Sequence, residues 1–113
     1  MSDEIAPPDG FAIATAKLSE YLLNPDHPAG GAKARYFLAL GFRVEQPDLL
    51  GRALFTHADP CRLKHRYRTL WGVKFVFEGP LDTPGGRRPF VRSVWQTAPS
   101  GEGPALLVTA YPP

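Results

Sequence analysis

A single cysteine, Cys61, stands in the 113 residues. No internal disulfide framework can hold such a chain, which fits a reducing compartment. No base neighbours Cys61, so it reads as a small packing residue and not as a nucleophile. Long apolar runs are missing as well: the longest, Tyr36 to Phe42, falls far short of the roughly 20 residues that span a bilayer. The start, Met1-Ser2-Asp3-Glu4, is acidic and predicts no signal peptide. A cytoplasmic location follows by elimination, with no membrane role. The chain also lacks GxxxxGK, GxSxG, CxxC and any histidine pair at helical spacing, the usual carriers of phosphate, nucleophile and metal chemistry. His27, His57 and His65 are scattered, so neither a metal nor a cofactor is expected. No internal repeat is present.

What is there suits one α+β domain. A chain of this length buries roughly 65% of its unfolded surface and folds without staples. Residues 1–10, with Pro7-Pro8-Asp9-Gly10, read as a disordered arm, and residues 11–113 as the domain. Phe11 to Ala14 adds a short strand. Thr15 suits the N-cap of a helix to Leu23 with Leu18, Tyr21 and Leu22 on its buried side. A central helix from Ala32 to Leu40 carries few charges and reads as buried nearly all round; Gly41 then stops it and Phe42 packs back. Pro47 opens a third helix to about His57, with Leu50, Leu54 and Phe55 as its stripe and Gly51 allowing close approach. After Asp59-Pro60 the period changes to two. Val73 to Glu78, Phe90 to Thr97 and Ala105 to Tyr111 read as strands, the last with Leu107, Thr109 and Tyr111 on one face. The expectation is two or three N-terminal helices on one face of a three- to four-stranded antiparallel sheet.

Three groups of residues are candidates for function. The start of the central helix has Pro28 and Gly30-Gly31 but no side-chain oxygen to cap it, and Lys33 and Arg35 lie at its positive end. Free N–H groups and cations together suggest an anion cradle. Arg62, Lys64, Arg66 and Arg68 alternate with other residues; on a strand they place four cations on one face, where they suit a phosphate backbone with Tyr67 or Trp71 stacking on a base. The same pattern also serves to protect an edge strand. Arg87 and Arg88, Arg92, Trp95, Thr109 and Tyr111 form a polar set on the C-terminal strands. Charge is uneven: residues 1–56 hold five Lys/Arg against seven Asp/Glu, and residues 57–113 hold eight against four. The second half is the one suited to a polyanion.

The segments Lys17 to Pro28, Gly31 to Phe37, Gly85-Gly86-Arg87 with Val91 to Trp95, and Leu107 to Pro112 resemble an uncharacterised bacterial domain family. Its members occur alone and as the C-terminal module of polymorphic toxins. The family is similar to the barnase/EndoU/RelE-type ribonuclease fold. That resemblance implies metal-independent RNA cleavage, no cofactor, and a small acidic antitoxin or immunity partner. On this chain His27, Lys33, Arg87, Thr109 and Tyr111 would be catalytic, and Arg35, Arg62, Lys64, Arg66, Arg68, Arg92 and Trp95 would bind RNA. No paired His–His or Glu–His acid/base set is present. The alternative is a non-catalytic partner or adaptor domain that uses the same sheet face to bind protein. The ribonuclease proposal requires the start of the central helix to lie near Arg87 and Tyr111 on the open side of the meander.

Overall fold

The computed structural model describes residues 8–113; most of the expected N-terminal arm lies outside them. Asp9, from its last part, accepts a hydrogen bond from Gly103 N–H at 2.8 Å, and Gly10 O accepts one from Ala105 N–H at 2.8 Å. These contacts align β1 (Phe11–Ala12) beside β5 (Ala105–Tyr111), in parallel. Between the two in sequence come β2 (Leu63–Thr69), β3 (Gly72–Pro80) and β4 (Phe90–Gln96), which add beyond β5 to give the order β1-β5-β4-β3-β2 with every other pair antiparallel. The sheet therefore has five strands and is mixed, where three or four antiparallel strands were expected. A two-residue strand has no readable period, so its partner was invisible in the sequence.

Helices cover one face. The first is a turn of α-helix, α1 (Thr15–Lys17), that runs on as a π-helical Leu18–Leu22. Thr15 lies inside it and supplies no cap. Then come α2 (Gly31–Ala39) and α3 (Pro47–His57). Gly41 has φ +101° and Phe42 N–H donates back to Phe37 O at 3.3 Å, so α2 ends as expected for a glycine stop. Its burial differs from expectation. Gly31, Ala34, Phe37 and Leu40 are buried, while Ala32, Arg35 and Ala39 are exposed. The helix is one-sided because it lies at the edge of the helical layer. Leu18, Leu22, Phe37, Leu50, Leu54, Phe75, Phe77, Val91 and Trp95 form the core between helices and sheet. Gly51 admits Leu18, whose Cδ1 would lie 3.3 Å from a Cβ there. Phe55 is 44% exposed and tilts against Trp95 at 6.0 Å.

Two β-bulges decide which side chains face outward. A register shift between Leu63 and His65 leaves Lys64 as an extra residue in β2. The other, where Val94 pairs with Thr109 and Trp95 with Leu107, leaves Val108 extra in β5. An extra residue reverses the side-chain phase. Leu107 accordingly points into the core, while Thr109 and Tyr111 turn to the open face, contrary to the single face expected for all three.

Inside the core His57, only 1% exposed, anchors a closed polar chain. Its Nε2 lies 3.1 Å from Gly79 O and 2.9 Å from Val91 O, two acceptors that require a proton on that nitrogen. Nδ1 then accepts from Ser93 Oγ at 2.8 Å, and Ser93 Oγ accepts from Trp95 Nε1 at 2.9 Å. Burial is the main cause that holds the His57 pKa below its ordinary value. Cys61, by contrast, is exposed and not packed. It sits in a short 3₁₀ turn, Pro60–Arg62, where Asp59 caps its N–H at 2.9 Å.

Candidate functional site

The first turn of α2 has no side-chain cap, as expected, but the loop before it is held by a side chain whose role the sequence did not show. His27 Nδ1 accepts from the N–H groups of Ala29 and Gly30 at 3.0 and 2.9 Å. With Nδ1 engaged as a double acceptor, the neutral ring carries its proton on Nε2. The glycine pair is there for space. A Cβ on Gly30 would come 2.5 Å from Cε1 of Tyr21, and one on Gly31 would come 2.6 Å from Pro25 O. The Tyr21 ring therefore lies directly on the backbone that leads into α2, and His27 packs edge-on to it at 5.0 Å.

Tyr21 is the hub of the site. Lys33, in the first turn of α2, donates from Nζ to Tyr21 Oη at 2.9 Å, and Thr109 Oγ1 on β5 lies 3.1 Å from the same oxygen. The Lys33 ammonium stands 5.5 Å from the Tyr21 ring and 5.4 Å from the Tyr111 ring. A cation at a helix N-terminus costs roughly 0.3–1 kcal/mol, and the two aromatic faces offset this by roughly 0.5–1 kcal/mol each. Lys17 lies over Tyr21 at 5.0 Å. Burial raises the Tyr21 pKa, but the hydrogen bonds from Lys33 and Thr109 and the charges of Lys33 and Lys17 outweigh it. The phenol is held below its ordinary value.

Beside this hub, Arg92 Nη1 donates to Tyr111 Oη at 3.3 Å, and Arg92 Nε to Glu78 Oε2 at 2.6 Å. The Tyr111 and Glu78 contacts, in that order, keep the guanidinium firmly charged. Tyr111 Oη accepts from Arg92, so its own proton is free to point elsewhere. A depression of about 580 Å³ opens between Tyr21, His27, Lys33 and Thr109. Among the described residues no three His, Cys, Asp or Glu side chains lie close enough to hold a metal ion.

Of the residues singled out in the sequence, His27, Lys33, Thr109, Tyr111 and Arg92 come together. Arg87 does not. Its Nη2 donates to Ala39 O at 3.1 Å, at the far end of α2, about 9 Å of helix rise from Lys33. There it stabilises the negative end of the helix dipole. The expected meeting of the helix start with Arg87 is thus corrected, while the meeting with Tyr111 is observed. Trp95 is fully buried and packs edge-on to Phe11 at 5.1 Å, so no base can stack on it. Arg35 is exposed and reaches Pro25 O at 3.4 Å. The four-cation strip is interrupted at both of its first members. Arg62 lies in the 3₁₀ turn and donates to Thr56 O at 3.0 Å, and Lys64 is the bulge residue. Arg66 and Arg68 keep a common phase opposite Phe75 and Val73, at the exposed edge. Sequence reasoning missed Tyr21 because helical periodicity assigned it to the core. Gly30 was the available signal, since glycine is the residue that permits close approach to the backbone.

A model of the family described as a domain of unknown function, DUF6883, matches residues 8–113. The chain belongs to the DUF6883 family. That match spans every residue of the site. None of the curated proteins matches the chain. Among solved structures, a chain of a contact-dependent growth inhibition toxin–immunity protein complex from Klebsiella pneumoniae 342 is similar, with a TM-score of 0.69 and 14% identity. The alignment covers 89% of this DUF6883 chain and 98% of that one. At this identity the likeness is one of fold. No helix among the described residues is long and apolar enough to cross a membrane.

Proposed function

We propose that this DUF6883 chain is a toxin-type module that cleaves RNA without a metal, with Tyr21, Lys33, Thr109, Tyr111 and Arg92 as its reactive centre. The observation that carries this is Lys33. Its ammonium is bonded to a phenol of lowered pKa and stands between two aromatic rings at the mouth of an open depression. Such an arrangement suits attack by a ribose 2′-hydroxyl on its neighbouring phosphate. Tyr21, once its own proton has passed to water, takes the 2′-hydroxyl proton. The new P–O2′ bond forms as the P–O5′ bond breaks, leaving a 2′,3′-cyclic phosphate. Tyr111 gives its proton to the departing O5′, and Lys33 and Arg92 offset the charge that develops on phosphorus oxygens. His27 presents Nε2–H as a further donor. Proton exchange with water then restores both tyrosines.

The toxin part rests on the fold shared with a chain of a toxin–immunity complex. By the same analogy the partner is a small acidic immunity protein that covers this cationic face, and the site of action is the cytoplasm. The test is incubation of purified chain with total RNA in the presence of a chelator. Fragments ending in 2′,3′-cyclic phosphate are expected. Intact RNA with folded protein would leave the non-catalytic partner or adaptor role in its place.

A further inference from the structure

We propose, resting on the ribonuclease reading, that the open sheet face between Thr109 and the β2–β3 hairpin is an extended subsite for single-stranded RNA, with Tyr67 stacking on a base and Lys74 holding the backbone. Two depressions meet on this face. The one at Tyr21 and Lys33 is bordered by Val108 and Thr109, and these two residues also border a second depression of about 360 Å³. The second one runs across Val94 and Val76 to His65, Tyr67 and Lys74. The Val108 bulge therefore forms the boundary common to both.

Register gives the length of this track. Tyr67 pairs with Lys74 and Lys74 with Gln96, whereas Glu78 pairs with Arg92 and Arg92 with Tyr111. The rows of Tyr67 and Tyr111 are thus separated by four residues along β3 and three strand spacings across, about 13 Å and about 14 Å. The diagonal of about 20 Å is the rise of about six stacked nucleotides. A polymer engaged at the reactive centre therefore reaches Tyr67, and a dinucleotide does not.

The chemistry along the track is that of a nucleic-acid strand. From Pro60 to Phe77 the chain has five Lys/Arg and no Asp/Glu. Of these, Lys74 stands on the open face beside Tyr67 and, among the described residues, has no carboxylate within ion-pair distance, whereas Arg66 and Arg68 share the face of Phe75 and Val73 and flank the track only from the sheet edge. Glu78, the acid on this face, is neutralised by Arg92, and Glu20 lines the first depression together with Lys17 and Lys33 but not the second. Tyr67 is 45% exposed. Exposed aromatic rings interleaved with unpaired cations hold single strands by stacking and charge, with little regard to sequence. An acidic protein would satisfy the cations, but it would not need a groove that starts at the reactive centre.

The experiment uses a fluorescein-labelled, 2′-O-methyl 12-nucleotide RNA, which cannot be cleaved, and fluorescence anisotropy at several salt concentrations. Tyr67→Ala is expected to weaken binding about tenfold, within the range of one lost base stack, and Tyr67→Phe to restore it. Lys74→Gln is expected to reduce the slope of log affinity against log salt by about 0.7. Circular dichroism checks that each variant is folded. Equal affinity of wild type and Tyr67→Ala, with an unchanged slope in Lys74→Gln, overturns the subsite and leaves this face to a protein partner. Absence of binding by the wild type overturns it too. If binding behaves as expected while unmodified RNA stays intact, the cleavage reading fails and the subsite stands. If RNA is cut but Tyr67→Ala is neutral, the reverse holds.

Discussion

Two polar networks lie on opposite sides of the same sheet, and they differ in how completely they are satisfied. In the core chain of Trp95, Ser93 and His57 each donor has an acceptor within the protein, and the chain ends on the carbonyls of Gly79 and Val91. Among the described residues no buried side-chain polar atom lacks a partner. On the open face, Lys33, Arg92 and Tyr111 have donors to spare, and with Tyr21 they border depressions instead of a wall. A closed network specifies a fold. An open one, with cations gathered round a phenol, is arranged to meet a ligand.

Substitutions that separate these roles break or sharpen the comparison. The largest expected effect is on the open face. Lys33→Ala should lower RNA cleavage by about 10²–10³-fold, the range for loss of one charge-stabilising donor, while the melting temperature hardly moves. A matching loss of stability would place Lys33 with the structural network. Next comes Ser93→Ala, which strands two buried nitrogens and should destabilise the fold by about 2–6 kcal/mol at roughly 1–3 kcal/mol per orphaned group. Urea titration measures it, and a change near zero would mean that the core chain is not closed.

A pH series follows. The folded-state pKa of His57 lies below the ordinary 6.5, so the unfolded chain binds the proton first. The stability contributed by neutral His57 is complete above about pH 6.5 and is lost as pH falls from there through the folded value. Urea midpoints at pH 7.5 and 5.5 should therefore diverge in the wild type and converge in His57→Gln. The smallest effect belongs to Arg87→Ala. It should cost at most about 1 kcal/mol through the C-terminal end of α2 and reduce cleavage far less than Lys33→Ala. A loss as large as that of Lys33→Ala would return Arg87 to the reactive centre.

Strong periodic signals in the sequence translated well. Pro47 and His57 bound α3 as expected, and Ala105 and Tyr111 bound β5. Thr109, Tyr111, Lys33 and His27 were visible in the sequence as polar candidates. What stayed hidden has a physical cause in each case. The Val108 bulge reverses the phase of β5 without any glycine or proline to mark it. The pairing of β1 with β5 joins segments over ninety residues apart in the sequence. Arg87 lies about 9 Å of helix rise from Lys33 because the connection after β3 returns to the C-terminal end of α2. Tyr21 was masked by its own amphipathicity, with a ring that packs and an oxygen that faces outward.

The proton-accepting role of Tyr21 is the central claim, and single-turnover cleavage of a labelled RNA by folded Tyr21→Phe tests it most directly. A fall of about 10²–10⁴-fold in the cleavage step, with RNA affinity close to that of the wild type, is the predicted result. Cleavage by Tyr21→Phe at the wild-type rate would contradict it.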